Sequence, residues 1–275
     1  MSRISDRFAL CKAEGRAAFV AYVMAGDPSG VATRDILAGL PAAGADLIEL
    51  GFPFSDPMAE GLPIQRAAQR ALAGGTRFRD VLALVRQFRA ADKKTPVILM
   101  GYLNPLLTYG FGKFARDAAE AGIDGVIVVD CPPEEADPLA DALDAEGVSL
   151  IRLATPTTDD ARLKVVAQRT SGFVYYVSVA GVTGQKEADA AAVAPAVARV
   201  RAATGLPVAV GFGVRTPQRA AEIARVADAV VVGSALVEAG AEATAANQPA
   251  APKVLALAAS LAQAVRTARA PLGVD

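Results

Sequence analysis

No histidine occurs anywhere in the 275 residues, and that absence narrows the chemistry most. A Ser-His-Asp triad, a Cys-His pair, a His-ligated metal and a histidine general base are all excluded. Acid–base work falls to Asp, Glu, Tyr, Lys or Cys. Cysteine is scarce as well. Cys11 and Cys131 are the only two, too few for a disulfide framework and, without histidine, for a zinc site. With 5% aromatics and no tryptophan, stacking on exposed nucleobases has little to work with. A net charge of −1 with no Lys/Arg cluster leaves no nucleic-acid footprint. No apolar run reaches the roughly 18 residues that a membrane span needs. The opening MSRISDRFALCK carries Arg3, Asp6 and Arg7 through an amphipathic pattern, which is wrong for a signal peptide. The expectation is a soluble cytoplasmic protein that binds no metal, nucleic acid or membrane.

What is present is apolar and periodic. Hydrophobic residues make up 53% of the chain and charged ones 21%, ample for a large core. Eight short runs rich in Val and Ile recur along the chain: 18–26, 46–52, 96–102, 125–130, 149–155, 172–179, 207–213 and 229–235. They are nearly continuous rather than alternating, as expected of parallel strands covered on both faces. Between them lie helix candidates at 30–42, 78–91, 111–121, 135–146, 159–168, 189–203, 217–225 and 252–268. Thr158-Asp159 and Thr216-Pro217 supply start signals. Strict βα alternation at this length predicts a single (β/α)8 TIM barrel over 1–275 rather than an open doubly wound sheet. Three features exceed the minimal pattern: a helix over 2–14 in a capping segment 1–15, a long region 53–76 after strand 2, and a Gly/Thr-rich loop 180–188 after strand 6. The small, polar stretch 239–252 reads as a flexible run before the last helix.

Barrel function gathers in the loops at the C-terminal ends of the strands, and the chemistry-bearing residues cluster there. Glu49 stands inside the apolar run Leu47-Ile48-Glu49-Leu50, where ionisation is costly without a partner. Burial would raise its pKa and let it give as well as take a proton. Asp56 and Glu60 follow in the loop Gly51-Phe52-Pro53-Phe54-Ser55-Asp56-Pro57-Met58-Ala59-Glu60-Gly61. Glycines recur after strands 6, 7 and 8, in Ala180-Gly181-Val182-Thr183-Gly184, Gly211-Phe212-Gly213 and Gly233-Ser234-Ala235. Each alone makes a tight turn; three in succession match the usual barrel phosphate site. No Walker pattern accompanies them, so a nucleotide is not indicated. One of Tyr175 and Tyr176 faces inward, and the residues alone leave open which.

Taken together, ELGFPFSDPMAEG (49–61), GYLNPLLTYG (101–110), FVYYVSVAGVTG (173–184) and the GFGV and VVGSALV endings resemble the tryptophan synthase alpha subunit family. The likeness spans nearly the whole chain, in order. It implies a lyase that cleaves indole-3-glycerol phosphate to indole and glyceraldehyde 3-phosphate. By this resemblance Glu49 is the general acid at the indole C3 and then the base toward the glycerol hydroxyl. Glu60 accepts from the indole N–H, and Tyr175 is the inward tyrosine. Thr183, Gly184, Phe212, Gly213, Gly233 and Ser234 would hold the phosphate. Tyr22, Ile64, Met100, Ile127, Val129, Leu153 and Phe212 would line the indole pocket. Asp56 and Pro57 would communicate with a beta subunit, in an assembly of two alpha and two beta chains. The beta subunit carries pyridoxal phosphate; this chain is expected to hold no cofactor. Three positions depart from the family pattern: Glu60 where Asp is common, Leu62-Pro63 where Gly-Pro is usual, and Val179 where many relatives carry Arg. Other phosphate-binding barrels fit less well. A ribulose-phosphate epimerase would use metal-ligating histidines, and an indoleglycerol-phosphate synthase relies on strand lysines, which none of the eight runs contains. A non-catalytic scaffold would not need both carboxylates and the phosphate loops.

Overall fold

The computed structural model describes residues 2–178, 190–211 and 213–269. Eight parallel strands pair in sequence order and close on themselves, β8 against β1. They are β1 Ala18–Met24, β2 Leu47–Gly51, β3 Val97–Gly101, β4 Gly125–Val128, β5 Ser149–Ala154, β6 Val174–Val177, β7 Val208–Gly211 and β8 Ala229–Val232. Each lies inside its predicted run. The helices are α1 Arg3–Ala13, α2 Gly30–Gly39, α3 Leu62–Ala73, α4 Phe78–Ala91, α5 Leu103–Tyr109 and α6 Phe111–Ala121. They continue as α7 Asp137–Ala145, α8 Asp160–Ala167, α9 Ala190–Thr204, α10 Pro217–Ala224, α11 Ser234–Ala245 and α12 Ala250–Thr267. The anticipated start signals act as such: Asp159 accepts from the Arg162 N–H, and Thr216 accepts from the Arg219 N–H ahead of Pro217.

Because side chains alternate along a strand, the barrel splits its apolar residues into two layers. Odd positions of β2, such as Leu47, point inward; Ile48 and Leu50 point out toward the helices. The inner layer also takes in Ile4, Phe8 and Cys11 of α1, with the Phe8 and Phe173 rings 5.6 Å apart. That contact places α1 across the N-terminal end of the barrel.

The same end is pinned by three aspartates, each immediately ahead of a strand. Asp46 accepts from the Phe19 N–H and from Arg16; Asp124 accepts from the Val97 N–H and Arg89; Asp228 accepts from the Val208 N–H and Arg201. Each carboxylate thus ties its own strand to the preceding one and meets a guanidinium, which compensates its burial. At the opposite end Glu49 and Glu60 are buried with no such guanidinium among the described residues, as described below.

Two expectations are corrected. The region 53–76 contains a full helix, α3, whose Ile64, Ala67, Ala68 and Ala71 form one buried stripe. The Pro/Gly punctuation of 53–63 hid it. The stretch 239–252 is not a flexible run: 239–245 completes α11 and 250–252 begins α12, leaving only 246–249 between them. Alanine is the strongest helix former, and Ala239, Gly240 and Ala243 are buried in the packed helix. α5 was not anticipated either. The loop 180–188, with Thr183 and Gly184, and also Val179 and Phe212 lie outside the described residues.

Candidate functional site

The inner layer ends, at the C-terminal mouth, in a chamber whose walls come from many strands. Register places Glu49 beside Tyr22 of β1 on one side and Ile98 of β3 on the other. Tyr175 sits between Leu153 of β5 and Ala209 of β7. It belongs to the inner layer, whereas Tyr176 packs outward among the helices, which settles the choice the sequence left open. Of the residues expected to line an indole pocket, Tyr22, Ile64, Met100 and Ile127 are buried in this layer, and Val129 and Leu153 pack against it. With Glu49 and Tyr175, one chamber therefore gathers residues from six strands, β1 to β6, and α3.

Glu49 is 1% exposed and Glu60 6%. Glu60 reaches the chamber from the loop ahead of α3, although Met58 and Ala59 beside it are exposed. The loop is held from both sides. The Ala59 N–H donates to the Tyr102 hydroxyl at 3.0 Å, the Glu60 N–H to the Pro57 carbonyl at 3.1 Å, and Gln65 Nε2 to the Glu60 carbonyl at 2.8 Å. Gly61 then caps α3, and Pro63 falls in its first turn, where a missing N–H costs nothing. The Leu62-Pro63 departure is thus accommodated as a helix start.

The electrostatics follow from dryness. Desolvation pushes Glu49 up to about 8, with a further push from the charge of Glu60. Desolvation alone pushes Glu60 up to about 7. Oε2 of Glu49 is buried with no hydrogen-bond partner, so no donor offsets the loss of water. Burial likewise holds Tyr22 and Tyr175 well above the ordinary phenol range, each with a contribution from both glutamates. At neutral pH the chamber holds a protonated acid, Glu49, beside a carboxyl near its midpoint, Glu60.

At the same mouth, β7 and β8 end in glycine-bearing turns. Gly213 has φ +79°, a conformation glycine alone adopts freely. Gly233 caps α11 and Ser234 opens it, so the unsatisfied N–H groups and positive end of a 12-residue helix meet the mouth of the barrel. A β-carbon on Gly211 would lie 2.0 Å from the Tyr175 hydroxyl; the glycine is what leaves room for the ring. Asp56 is exposed and Pro57 half-exposed on the rim, away from the dry chamber that takes in Glu60.

Sequence reasoning missed Tyr102. Its ring packs on Phe54 at 5.2 Å, and its hydroxyl holds the loop bearing Glu60. A tyrosine just past the glycine that ends strand 3 was the available signal. It also missed Arg70 of α3, which grips Asp27 with two hydrogen bonds of 2.6 and 3.0 Å and anchors α3 to the end of β1. No group of metal-capable side chains occurs among the described residues.

Comparison with known proteins agrees with this geometry. The family profile described as tryptophan synthase alpha chain matches residues 8–266. The tryptophan synthase alpha chain of Phenylobacterium zucineum is 72% identical over 268 residues, spanning 98% of this chain and 97% of that protein. That of Caulobacter vibrioides is 67% identical over 267 residues, 97% of each. Among solved structures, tryptophan synthase subunit alpha of Legionella pneumophila superposes with a TM-score of 0.90 at 43% identity, covering 96% of this chain and 98% of that one. A Mycobacterium tuberculosis tryptophan synthase chain gives 0.87 at 40% identity, covering 96% and 98%. A continuous match of this depth, on a barrel with two dry carboxylates at its mouth, fixes the assignment: the chain belongs to the tryptophan synthase alpha chain family.

Proposed function

We propose that Glu49 and Glu60 divide the acid–base work of the family's reaction. That reaction is the aldol-type cleavage of indole-3-glycerol phosphate to indole and glyceraldehyde 3-phosphate, a lyase step in tryptophan biosynthesis. The observation that carries the reading is the pair of carboxyl groups buried at the barrel mouth, Glu49 1% and Glu60 6% exposed, both pushed upward by burial, with the charge of Glu60 pushing Glu49 further. The group of higher pKa holds its proton and acts as the acid; the lower one supplies the anion.

The steps balance on these two residues. Glu49 gives its proton to indole C3, while the Glu60 carboxylate accepts a hydrogen bond from the ring N–H and stabilises the positive charge spreading onto nitrogen. The Glu49 carboxylate then takes the proton of the glycerol hydroxyl. The carbon–carbon bond breaks, its electrons restore the aromatic ring, the aldehyde forms, and Glu49 is again protonated. No metal or organic cofactor is required. Tyr175 bounds the site from β6, and Tyr22, Ile64, Met100, Ile127, Val129, Leu153 and Phe212 hold the indole. Gly213, Gly233 and Ser234, with Thr183, Gly184 and Phe212, receive the phosphate; the α11 N-terminus supports this, since its N–H groups meet the mouth.

Tryptophan synthase alpha chains form complexes with a beta subunit, which carries the pyridoxal phosphate. For this chain we infer two copies of each subunit, with Asp56 and Pro57 at the contact. Met58, Leu62 and Leu107 are exposed apolar side chains on the same rim, a surface suited to burial against a partner. We also read residues 1–275 as one barrel domain with 1–15 as its capping segment, 53–76 as the catalytic loop region and 180–188 as an active-site loop. Among the described residues no helix is long and apolar enough to cross a membrane, and with both cysteines free a cytoplasmic setting fits.

The test supplies indole-3-glycerol phosphate and follows indole release with and without a beta subunit. Wild type should release indole in both cases and Glu49→Gln in neither, while glycerol phosphate still binds the variant. Normal turnover by the variant would remove Glu49 from the mechanism.

A further inference from the structure

A cavity of about 320 Å³ lies between β5 and the segment that follows β4; it touches Val129 and Leu153 of the expected indole lining and extends to the outward face of β5. That volume is at the small end of the range for small-molecule sites, about 300–1,000 Å³. Its walls are mostly apolar, with Val128, Leu150 and Val166 prominent, and Cys131 and Thr158 contribute polar edges. Into it faces Arg152. The neighbours Ile151 and Leu153 belong with the inner layer, so Arg152 points outward, beneath α7 and α8. The residue is 6% exposed, and its Nε and Nη1 are buried without any hydrogen-bond partner.

Two other charged side chains line the cavity, and each has a hydrogen-bond partner. Arg162 pairs with Glu134, and Asp130 accepts the Leu103 N–H at 2.8 Å. Arg152 is therefore left without an ion pair, with three unmet N–H protons on Nε and Nη1. Every buried arginine at the N-terminal end of the barrel meets an aspartate; this one meets none. A buried cation without a partner is retained at a cost, and a leucine or methionine would fill the same space on the outer face of a strand.

We propose that this cavity is a binding site for a small organic carboxylate, with Arg152 as its recognition residue. A carboxylate matches the fork formed by Nε and Nη1 through two parallel hydrogen bonds. Its single negative charge balances the single free guanidinium. An apolar body on the carboxylate then fills the space against Val128, Leu150 and Val166. A phosphate dianion suits the site less, since it brings a second charge and four polar oxygens into walls that offer one unpaired cation and already hold the Asp130 carboxylate.

Cys131 on the cavity wall gives the readout, because it is half-buried while the other cysteine, Cys11, is fully buried. The full chain is alkylated with iodoacetamide in the presence of benzoate, inorganic phosphate or neither, and labelling at Cys131 is followed by peptide mass. Benzoate should slow labelling saturably, by roughly tenfold at ten times its Kd, and should raise Tm. Arg152→Met should lose both effects, and Glu49→Gln should keep them. Val166→Phe, which narrows the cavity and leaves Arg152 in place, should weaken both effects, and decides the matter if the arginine variant does not fold. Absence of protection in wild type, equal protection in either cavity variant, or equal protection by phosphate would overturn the assignment.

Discussion

Replacing Glu49 by glutamine should abolish the reaction and yet stabilise the protein, by an amount that depends on pH. In the unfolded chain Glu49 titrates near its ordinary 4.5, whereas burial holds it near 8 in the fold. Between those values the folded state keeps a proton that the unfolded state has released, so stability falls as pH rises. At 1.36 kcal/mol for each pH unit, the loss is under about 1 kcal/mol at pH 5, about 3 kcal/mol at pH 7 and, once both states have ionised, about 5 kcal/mol at pH 9. Glutamine has nearly the same shape and never ionises, so the variant escapes this term. Glu60 is present in both proteins, and its repulsion of Glu49 is part of what is measured. With an unfolding entropy of about 2.1 cal/mol/K per residue, about 3 kcal/mol corresponds to a Tm increase near 5 °C. Calorimetry of both proteins at pH 5, 7 and 9 should show the gap opening from about 1 °C to about 8 °C. Any cost of seating the amide beside the unpartnered acceptor position is the same at each pH and drops out of the trend. A gap that stays constant, or closes as pH rises, would refute the claim that Glu49 is held protonated by burial.

The same electrostatics predict a bell-shaped kcat/KM, rising as Glu60 ionises near 7 and falling as Glu49 loses its proton near 8; Glu60→Ala should cut activity by about 10²-fold or more and remove the rising limb, while Glu60→Asp retains measurable turnover. Unchanged kinetics in the alanine variant would reduce Glu60 to a loop residue. Gly211→Ala puts a methyl group 2.0 Å from the Tyr175 hydroxyl, so denaturant unfolding should show a loss of about 1–3 kcal/mol together with a raised KM; wild-type values for both would mean the ring has another place to go. Arg16→Ala strips the buried Asp46 of its two-bond pair at 2.6 and 2.9 Å and leaves it only Arg7 at 3.3 Å, so it should cost at most about 3–5 kcal/mol with kcat unchanged in the folded protein. A changed kcat there would contradict the separation of the stabilising end of the barrel from its catalytic end.

How far these residues could be read without coordinates depended on whether their meaning was local. The eight strands were legible because each is a Val/Ile run buried on both faces, and Glu49 was legible because it interrupts one. Glu60 was not distinguishable from Asp56 by composition: both sit in a Pro/Gly-rich loop four residues apart, and only the fold shows one dry and the other in water. The resemblance singled out Glu60, but its burial depends on the Tyr102 hydroxyl and the start of α3, contacts made across the barrel mouth. Tyr175 and Tyr176 required the inward register of β6, which no neighbour in sequence fixes. α3 and the end of α11 were hidden by opposite errors, turn residues just ahead of one and a run of small residues taken for flexibility in the other. Arg152 shows the limit most clearly. In sequence it is an ordinary charge in SLIRLA, and nothing nearby says that its guanidinium is buried under two helices without an ion pair. A strand residue's face is a local property, but whether a charge on that face finds a partner is decided by every element packed over it. The buried glutamates and Arg152 therefore pose one question with opposite signs. In each case the fold has removed water and supplied no partner, and the group should answer by holding a proton or by taking an anion.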